Sequence, residues 1–344
     1  MIPSETPLPI AIVGLGFGRH IVNDLQNPEL KKIFRIAAVC DLDPAKTAPI
    51  AQATGAEVLT LDEVLRREDL PVIGLFTGPN GRAGLLRKAI HAGKNVMTTK
   101  PFERDPEAGF AILEEASRLG KIIHLNSPAP DIAADLAQIH AWEREFPLGK
   151  PISAQAATWV RYNEKADGTW MDDPAQCPVA PIFRIGIYLI NDFVEIFGEA
   201  ESVHVVSSRL NTRRPTPDHA QLSIKFKNGG IAAVLASFCV GDGYPYRGTF
   251  ALNYEHGTVY RNAGLPPLEE NAPNLSLIAM DGETRLRREA KIPSLSGQYQ
   301  WRKLYDAIHS GTVPPADFPR KVAAGLRIVE AMARSERTGA PQQV

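Results

Sequence analysis

Cysteine is scarce in this chain, and its placement adds nothing to its number. Cys40, Cys177 and Cys239 are odd in count, far apart and without CxxC spacing. That excludes a disulfide framework and a zinc knuckle and fits a reducing compartment, so the expected location is cytoplasmic. Net charge is equally scarce: 38 Lys and Arg stand against 39 Asp and Glu, leaving −1. No basic surplus exists to hold nucleic acid or an anionic membrane, and the expected partner is a small molecule. Long apolar runs are missing too. The longest, residues 231–240, is far short of the ~20 residues that a bilayer span requires. The N-terminal apolar segment has no basic stretch before it and meets glycine after Val13, unlike a signal peptide, so the Asn274 sequon is expected to stay unmodified. The eight histidines are scattered, none at metal-ligand spacing with another His or Cys, and no metal site is expected. There is no nucleophile elbow, P-loop, helix-turn-helix, short repeat or low-complexity segment.

The chain has 344 residues, 44% of them hydrophobic, enough for two domains with real cores. Short apolar runs beginning at residues 10, 36, 72, 95 and 121 are rich in Val and Ile and separated by helix-length segments. This predicts βαβ units and a doubly wound parallel sheet. Helices are expected over 19–30, 61–67, 82–92 and 106–119, the last opened by Asp105 as N-cap before Pro106. After "NSPAP", around Ser127, the pattern changes. A helix over 131–145, a strand over 152–162 and an amphipathic helix over 183–197 are followed by strands over 203–210, 221–226, 231–238, 249–254 and 257–261. "KNGG" supplies a hairpin turn within an antiparallel sheet. Helices over 300–309 and 320–335 close the chain. The fold class is therefore α/β, with a doubly wound domain over 1–127 and an α+β domain with a large open, mostly antiparallel sheet over 128–344.

The turn after the first strand reads "VGLGFGRH", with glycines at 14, 16 and 18. Glycine there permits a tight turn and close approach of the backbone to a pyrophosphate, while the following helix offers free N–H groups. The third position of strict GxGxxG is Arg19. The second strand ends at Asp41, where an acid can accept both ribose hydroxyls and would repel a 2′-phosphate. No Arg or Lys follows until Lys46, so NAD is expected rather than NADP.

With these glycines, Asp41, "TGPN" at Thr77 and "AGKNVMTTKPFE" at Ala92, the sequence resembles the Gfo/Idh/MocA family, the glucose-fructose oxidoreductase and inositol dehydrogenase group. The carboxy-terminal "GLRIVEAMARSERTG" resembles that family's closing helix, which is allowed to pack back on the first domain. The resemblance implies an N-terminal Rossmann domain, a C-terminal domain for substrate and oligomerisation, and homodimers or homotetramers. It also implies hydride transfer to or from a sugar, polyol or sugar acid. Candidate cofactor contacts are Gly14, Gly16, Phe17, Gly18, Asp41, Thr77, Asn80, Thr99 and Lys100. Lys100 matches the lysine of the family's Glu-Lys-Pro motif, beside nicotinamide and substrate carbinol, with Thr99 in place of the glutamate. A cation there stabilises negative charge on the substrate oxygen.

The segment "FRIGIYLIND" begins at Phe183 and is similar to the branch of the family with tyrosine in the place of its helix histidine. Tyr188 becomes the candidate proton donor or acceptor. On an ideal helix Arg184, Tyr188 and Asn191 fall within about 60° of one another, with Ile185, Leu189, Phe193 and Ile196 on a separate arc. Arg184 stands where the family has aspartate, and a rigid double donor suits a carboxylate or phosphate. An anionic sugar acid or hydroxy acid is the expected substrate, with Arg184, Asn191, Asn126 and Tyr162 as contacts; Trp170 and Asp172, on the same segment as Tyr162, either line the pocket or anchor a long loop. The family also contains NAD-dependent glycosidases and non-catalytic sensors. Lys100 and Tyr188 favour the dehydrogenase.

Overall fold

The computed structural model describes residues 6–267, 269, 271–293 and 296–344. The chain forms two compact units, Met1–Asp131 with Tyr299–Pro319, and Ile132–Gln298 with Arg320–Val344.

The first unit alternates strands and helices: β1 (Leu8–Val13), α1 (Leu15–Asp24), α2 (Pro28–Lys31), β2 (Phe34–Cys40), α3 (Pro44–Thr54), β3 (Glu57–Val58), α4 (Leu61–Arg66), β4 (Val72–Leu75), α5 (Arg82–His91), β5 (Asn95–Thr98), α6 (Pro106–Arg118) and β6 (Ile123–Leu125). Its strands form one sheet in the order β3, β2, β1, β4, β5, β6, every pair parallel. The order reverses between β1 and β4, which opens a crevice at their carboxyl ends. β4 is buried at all four positions, as a strand covered on both faces must be.

Two local differences have physical causes. The helix expected over 19–30 starts at Leu15 and stops after Asp24, because Asn27 accepts from Glu29 N–H at 2.9 Å and restarts the chain as α2. α3 has no apolar periodicity, contains Pro49 and buries only Thr47. It forms because Asp43 caps it and Pro44 fixes its first turn.

The second unit contains α7 (Ala134–Glu145), β7 (Pro151–Trp159), a 3-10 turn (Trp170–Asp172), a π-helical turn (Ile182–Gly186), α8 (Ile187–Phe197), β8 (Ala200–Ser208), β9 (His219–Phe226), β10 (Ile231–Ser237), β11 (Thr249–Tyr254), β12 (Gly257–Arg261), β13 (Leu275–Asp281) and β14 (Thr284–Ala290). The chain then makes α9 (Trp301–Ser310), α10 (Phe318–Thr338) and β15 (Gln342–Gln343). Nine strands form one sheet in the order β14, β13, β12, β11, β7, β10, β9, β8, β15. All neighbours are antiparallel except β7 with β10. One face packs on α7, α8 and α10 through residues such as Ile139, Trp142, Phe193, Ile328 and Met332, and β9 alternates buried and exposed along its length. β13 and β14 are additional to the strands expected. β14 is an exposed edge rich in charge, which hides its strand character from a hydrophobic pattern but keeps the edge from pairing with another chain.

The expected boundary after residue 127 assigns everything later to the second domain except a returning final helix. The helix that belongs to the first unit is instead α9. Trp301, Leu304 and Tyr305 join the first unit's core, with Trp301 and Tyr305 edge-on to Phe34 at 5.5 and 6.0 Å between ring centroids.

Candidate active site

The glycine turn lies at the crevice of the first unit. Gly14 adopts φ +86, and a Cβ there would come within 2.8 to 2.9 Å of the Phe76 and Thr77 backbone. Only glycine lets β1 and β4 approach so closely. At Gly16 a Cβ would meet nothing within 4 Å, whereas at Gly18 it would touch Ile12 at 3.1 Å. Gly14 and Gly18 thus serve packing, and Gly16 leaves the open space a pyrophosphate needs. Phe17 is exposed and its ring lies 6.0 Å from Phe76. The buried Thr77 hydroxyl has no hydrogen-bond partner among the described residues, and Asn80 is exposed. These features fit a dinucleotide: Gly16 and the α1 terminus would hold its phosphates, with Thr77 in reach of the same crevice.

Asp41 is tied down on both oxygens. Oδ2 accepts from Leu15 N–H at 2.6 Å and Oδ1 from Asp43 N–H at 3.0 Å. The carboxylate therefore also satisfies one of the helix-end donors of α1, and Lys46 Nζ stands 3.8 Å away.

Lys100 follows β5 on a loop built from buried polar groups. Its backbone N–H donates to Asn126 Oδ1 at 3.0 Å, so Asn126, expected as a substrate contact, fixes the lysine's main chain. Thr99, in the place of the family's glutamate, accepts from Tyr299 OH at 2.7 Å, and Tyr299 stacks on Trp301 at 5.9 Å. Arg82 was legible in the sequence only as a helix residue, yet it is 1% exposed. It donates to the carbonyls of Thr99 at 2.6 Å, Pro101 at 2.5 Å and Phe102 at 3.0 Å, and also to that of Thr77. Burial pulls its guanidinium down to about 10, and the negative charge of Glu103 works against that. Glu103, itself buried, accepts from the Gly81, Ala83 and Arg104 N–H groups at 3.1, 2.7 and 2.6 Å, capping α5. Arg82 thereby ties the Thr77 loop to the loop that carries Lys100.

In the second unit, Tyr188 is the second residue of α8, directly after a π-helical turn of the kind often found at functional positions. α8 is buried almost all round rather than amphipathic, and among residues 182–191 only Arg184 and Tyr188 keep partial exposure. Gly297, at φ +98, lies against the Tyr188 ring so closely that a Cβ would be 2.7 Å from it. Asn191 is 7% exposed, and a Cβ at Gly325 of α10 would be 2.4 Å from its Oδ1. The amide oxygen of Asn191, a residue expected at the substrate, thus lies close against α10. α8 is anchored by Arg261, which bonds Asp135 at 2.6 Å and Asp192 at 2.9 Å. Burial, reinforced by Asp135 and countered by Arg261, raises Asp192 to about 6.

Arg184 was expected to offer its fork to an anionic substrate. That fork is filled: Glu164 Oε2 and Oε1 each lie 2.7 Å from the two terminal nitrogens. The Tyr162 and Phe238 rings lie 4.9 and 4.7 Å from the same guanidinium. Tyr162 directs its hydroxyl to Tyr246 OH at 2.8 Å, and burial together with that bond holds the phenol above its usual range. Trp170 packs edge-on to Phe183 at 6.3 Å, and Asp172 pairs with Arg214 at 2.6 Å. Nothing in the sequence pattern pointed to Glu164 or Arg214, because their partners lie 20 and 50 residues away.

Residues 8–127 match the oxidoreductase family with an NAD-binding Rossmann fold, and residues 137–260 match the GFO/IDH/MocA C-terminal domain. The chain belongs to the Gfo/Idh/MocA family. It is accordingly an oxidoreductase with an NAD-binding Rossmann fold. An oxidoreductase of uncharacterised activity from Schizosaccharomyces pombe is 23% identical to this family member, over 98% of this chain and all of the relative. The aldose-aldose oxidoreductase of Caulobacter crescentus, solved with glycerol, shares the fold with TM-score 0.74, 20% identity and coverage of 98% and 100% of the two chains. A levoglucosan dehydrogenase in complex with NADH has the same TM-score, at 17% identity and coverage of 98% and 99%. Among the described residues no helix is long and apolar enough to cross a membrane.

Proposed function

We propose that the protein is an NAD-dependent dehydrogenase or reductase that moves a hydride between nicotinamide and the carbinol carbon of a sugar, polyol or related hydroxy compound. The observation that carries this reading is the construction around Lys100. A buried arginine, a buried asparagine and a capping glutamate fix the main chain on both sides of one lysine, in the same unit as a glycine turn shaped for a dinucleotide. Preorganisation of that kind serves a group that meets developing charge.

Bound nicotinamide supplies the hydride chemistry. Lys100 offsets negative charge on the substrate oxygen, and Tyr188 gives or takes the hydroxyl proton with its ring held by Gly297. Asp41 favours NAD, since its carboxylate receives ribose hydroxyls and repels a 2′-phosphate, and Lys46 moderates that preference.

The test follows nicotinamide absorbance while purified protein with NAD or NADH meets pools of sugars, polyols and hydroxy acids. Turnover in one pool that falls about a hundredfold or more in Lys100→Ala and in Tyr188→Phe supports the reading. Turnover unchanged in both variants overturns the assigned roles.

A further inference from the structure

We infer that Glu164 sets the charge of the substrate: it fills the fork of Arg184 with the chain's own carboxylate and so reserves the site for neutral hydroxyl compounds. The inference rests on the dehydrogenase reading and narrows its substrate class.

Between residues 182 and 191 only Arg184 and Tyr188 remain partly exposed, so the side of the helix that offers the phenol offers the guanidinium as well. An arginine in that position, left alone, would select a carboxylate or phosphate. It is not left alone. The rings of Tyr162 and Phe238 lie against the guanidinium, and both terminal nitrogens bond Glu164 at 2.7 Å. Glu164 is gripped from a second side by Arg214 Nε at 2.9 Å, and Arg214 is itself held by Asp167 at 2.9 Å and Asp172 at 2.6 Å.

In this cluster two positive charges, Arg184 and Arg214, face three negative ones, Glu164, Asp167 and Asp172, a balance of one negative charge. An incoming carboxylate would have to displace Glu164 from two arginines and would approach a surplus of its own sign. A sugar hydroxyl does neither, because it can donate to the outer lone pairs of Glu164 without breaking the pair. Burial pushes the Glu164 carboxyl up, but the bonds from Arg184 and Arg214 outweigh it and hold the acid below its ordinary range.

The test titrates D-gluconate and D-glucose by calorimetry into the full-length protein saturated with NAD. Glu164→Ala empties the fork. Glu164→Gln keeps its shape without the charge and serves if the alanine variant fails to give a native melt. Wild type is expected to bind gluconate no better than glucose. Either variant is expected to gain about tenfold or more for gluconate, a gain that weakens with salt and vanishes when Arg184→Gln is added. Gluconate binding by wild type that depends on Arg184, or no gain in a folded variant, overturns the inference. The pool assay separates the two readings. A gluconate switch without hydride transfer in any pool overturns the dehydrogenase reading alone, whereas turnover of neutral substrates without the switch overturns the role of Glu164 alone.

Discussion

Arg82 donates to four main-chain carbonyls and bonds no carboxylate among the described residues, so its charge is matched by dipoles and by the nearby Glu103. Truncation would strand buried acceptors, each at a cost of about 1 to 3 kcal/mol. Arg82→Met is therefore expected to lower unfolding stability by about 3 kcal/mol or more. Lys100→Ala, on the same loop but half-buried, should cost less than about 1 kcal/mol. Urea unfolding of the two variants side by side checks this; equal losses would mean that Arg82 does not organise the loop. Asp41 carries two duties, since it faces the ribose in the proposed complex and also receives Leu15 N–H at 2.6 Å. Asp41→Ala should weaken NAD binding about tenfold or more, from the loss of charge-assisted hydrogen bonds. NADP binding should fall less, because the carboxylate that repels a 2′-phosphate is then gone. Fluorescence titration of NADH and NADPH gives the ratio.

At the scale of elements, α7 and α8 are joined by a charge cluster whose balance depends on one histidine. His140 Nδ1 lies 2.5 Å from Glu143 and Nε2 lies 3.6 Å from Glu195, which also receives Lys321 at 2.9 Å. Bonds to Glu143 and Glu195, against the effect of burial, raise the imidazole to about 9, and the bond from His140 lowers Glu195 to about 2. A histidine raised in the folded state contributes stability in full below its unfolded value near 6.5 and loses it as pH rises through about 9. The melting temperature is expected to decline across that window, and His140→Gln should flatten the decline. An unchanged slope in the variant would remove His140 as its cause. The sequence showed the elements whose signals are local: Val- and Ile-rich strands, the Asp105 cap before Pro106, the KNGG turn whose Gly229 adopts φ +90. It did not show α3, which has no apolar periodicity and buries only Thr47, nor the charged edge strand β14. The site divided along the same line. Gly14, Gly16 and Lys100 carry motif spacing, whereas Glu164 and Arg82 act mainly through partners 17 to 50 residues away that no short-range pattern connects.

For the whole molecule, the open face of the nine-stranded sheet is its largest structural statement about assembly. At its centre, strands β7, β10 and β11 pair Gln155 with Ala233, Ala157 with Leu235, and Ala251 with Gln155, so this middle carries no charge. Such a surface suits the sheet of a second copy, and a homodimer or homotetramer is expected. Light scattering of Leu235→Asp should show a shift toward monomer with an unchanged far-ultraviolet spectrum; an unaltered mass would place the interface elsewhere. The division of the chain has a consequence for synthesis on the ribosome. The core of the nucleotide unit includes Trp301, Leu304 and Tyr305 beside Phe34, although its last strand ends at Leu125. At bacterial-to-eukaryotic elongation speeds the intervening stretch takes roughly ten to thirty seconds to emerge. Throughout that interval the emerging nucleotide unit lacks the rings that pack on Phe34, so its core closes only once α9 has left the ribosome.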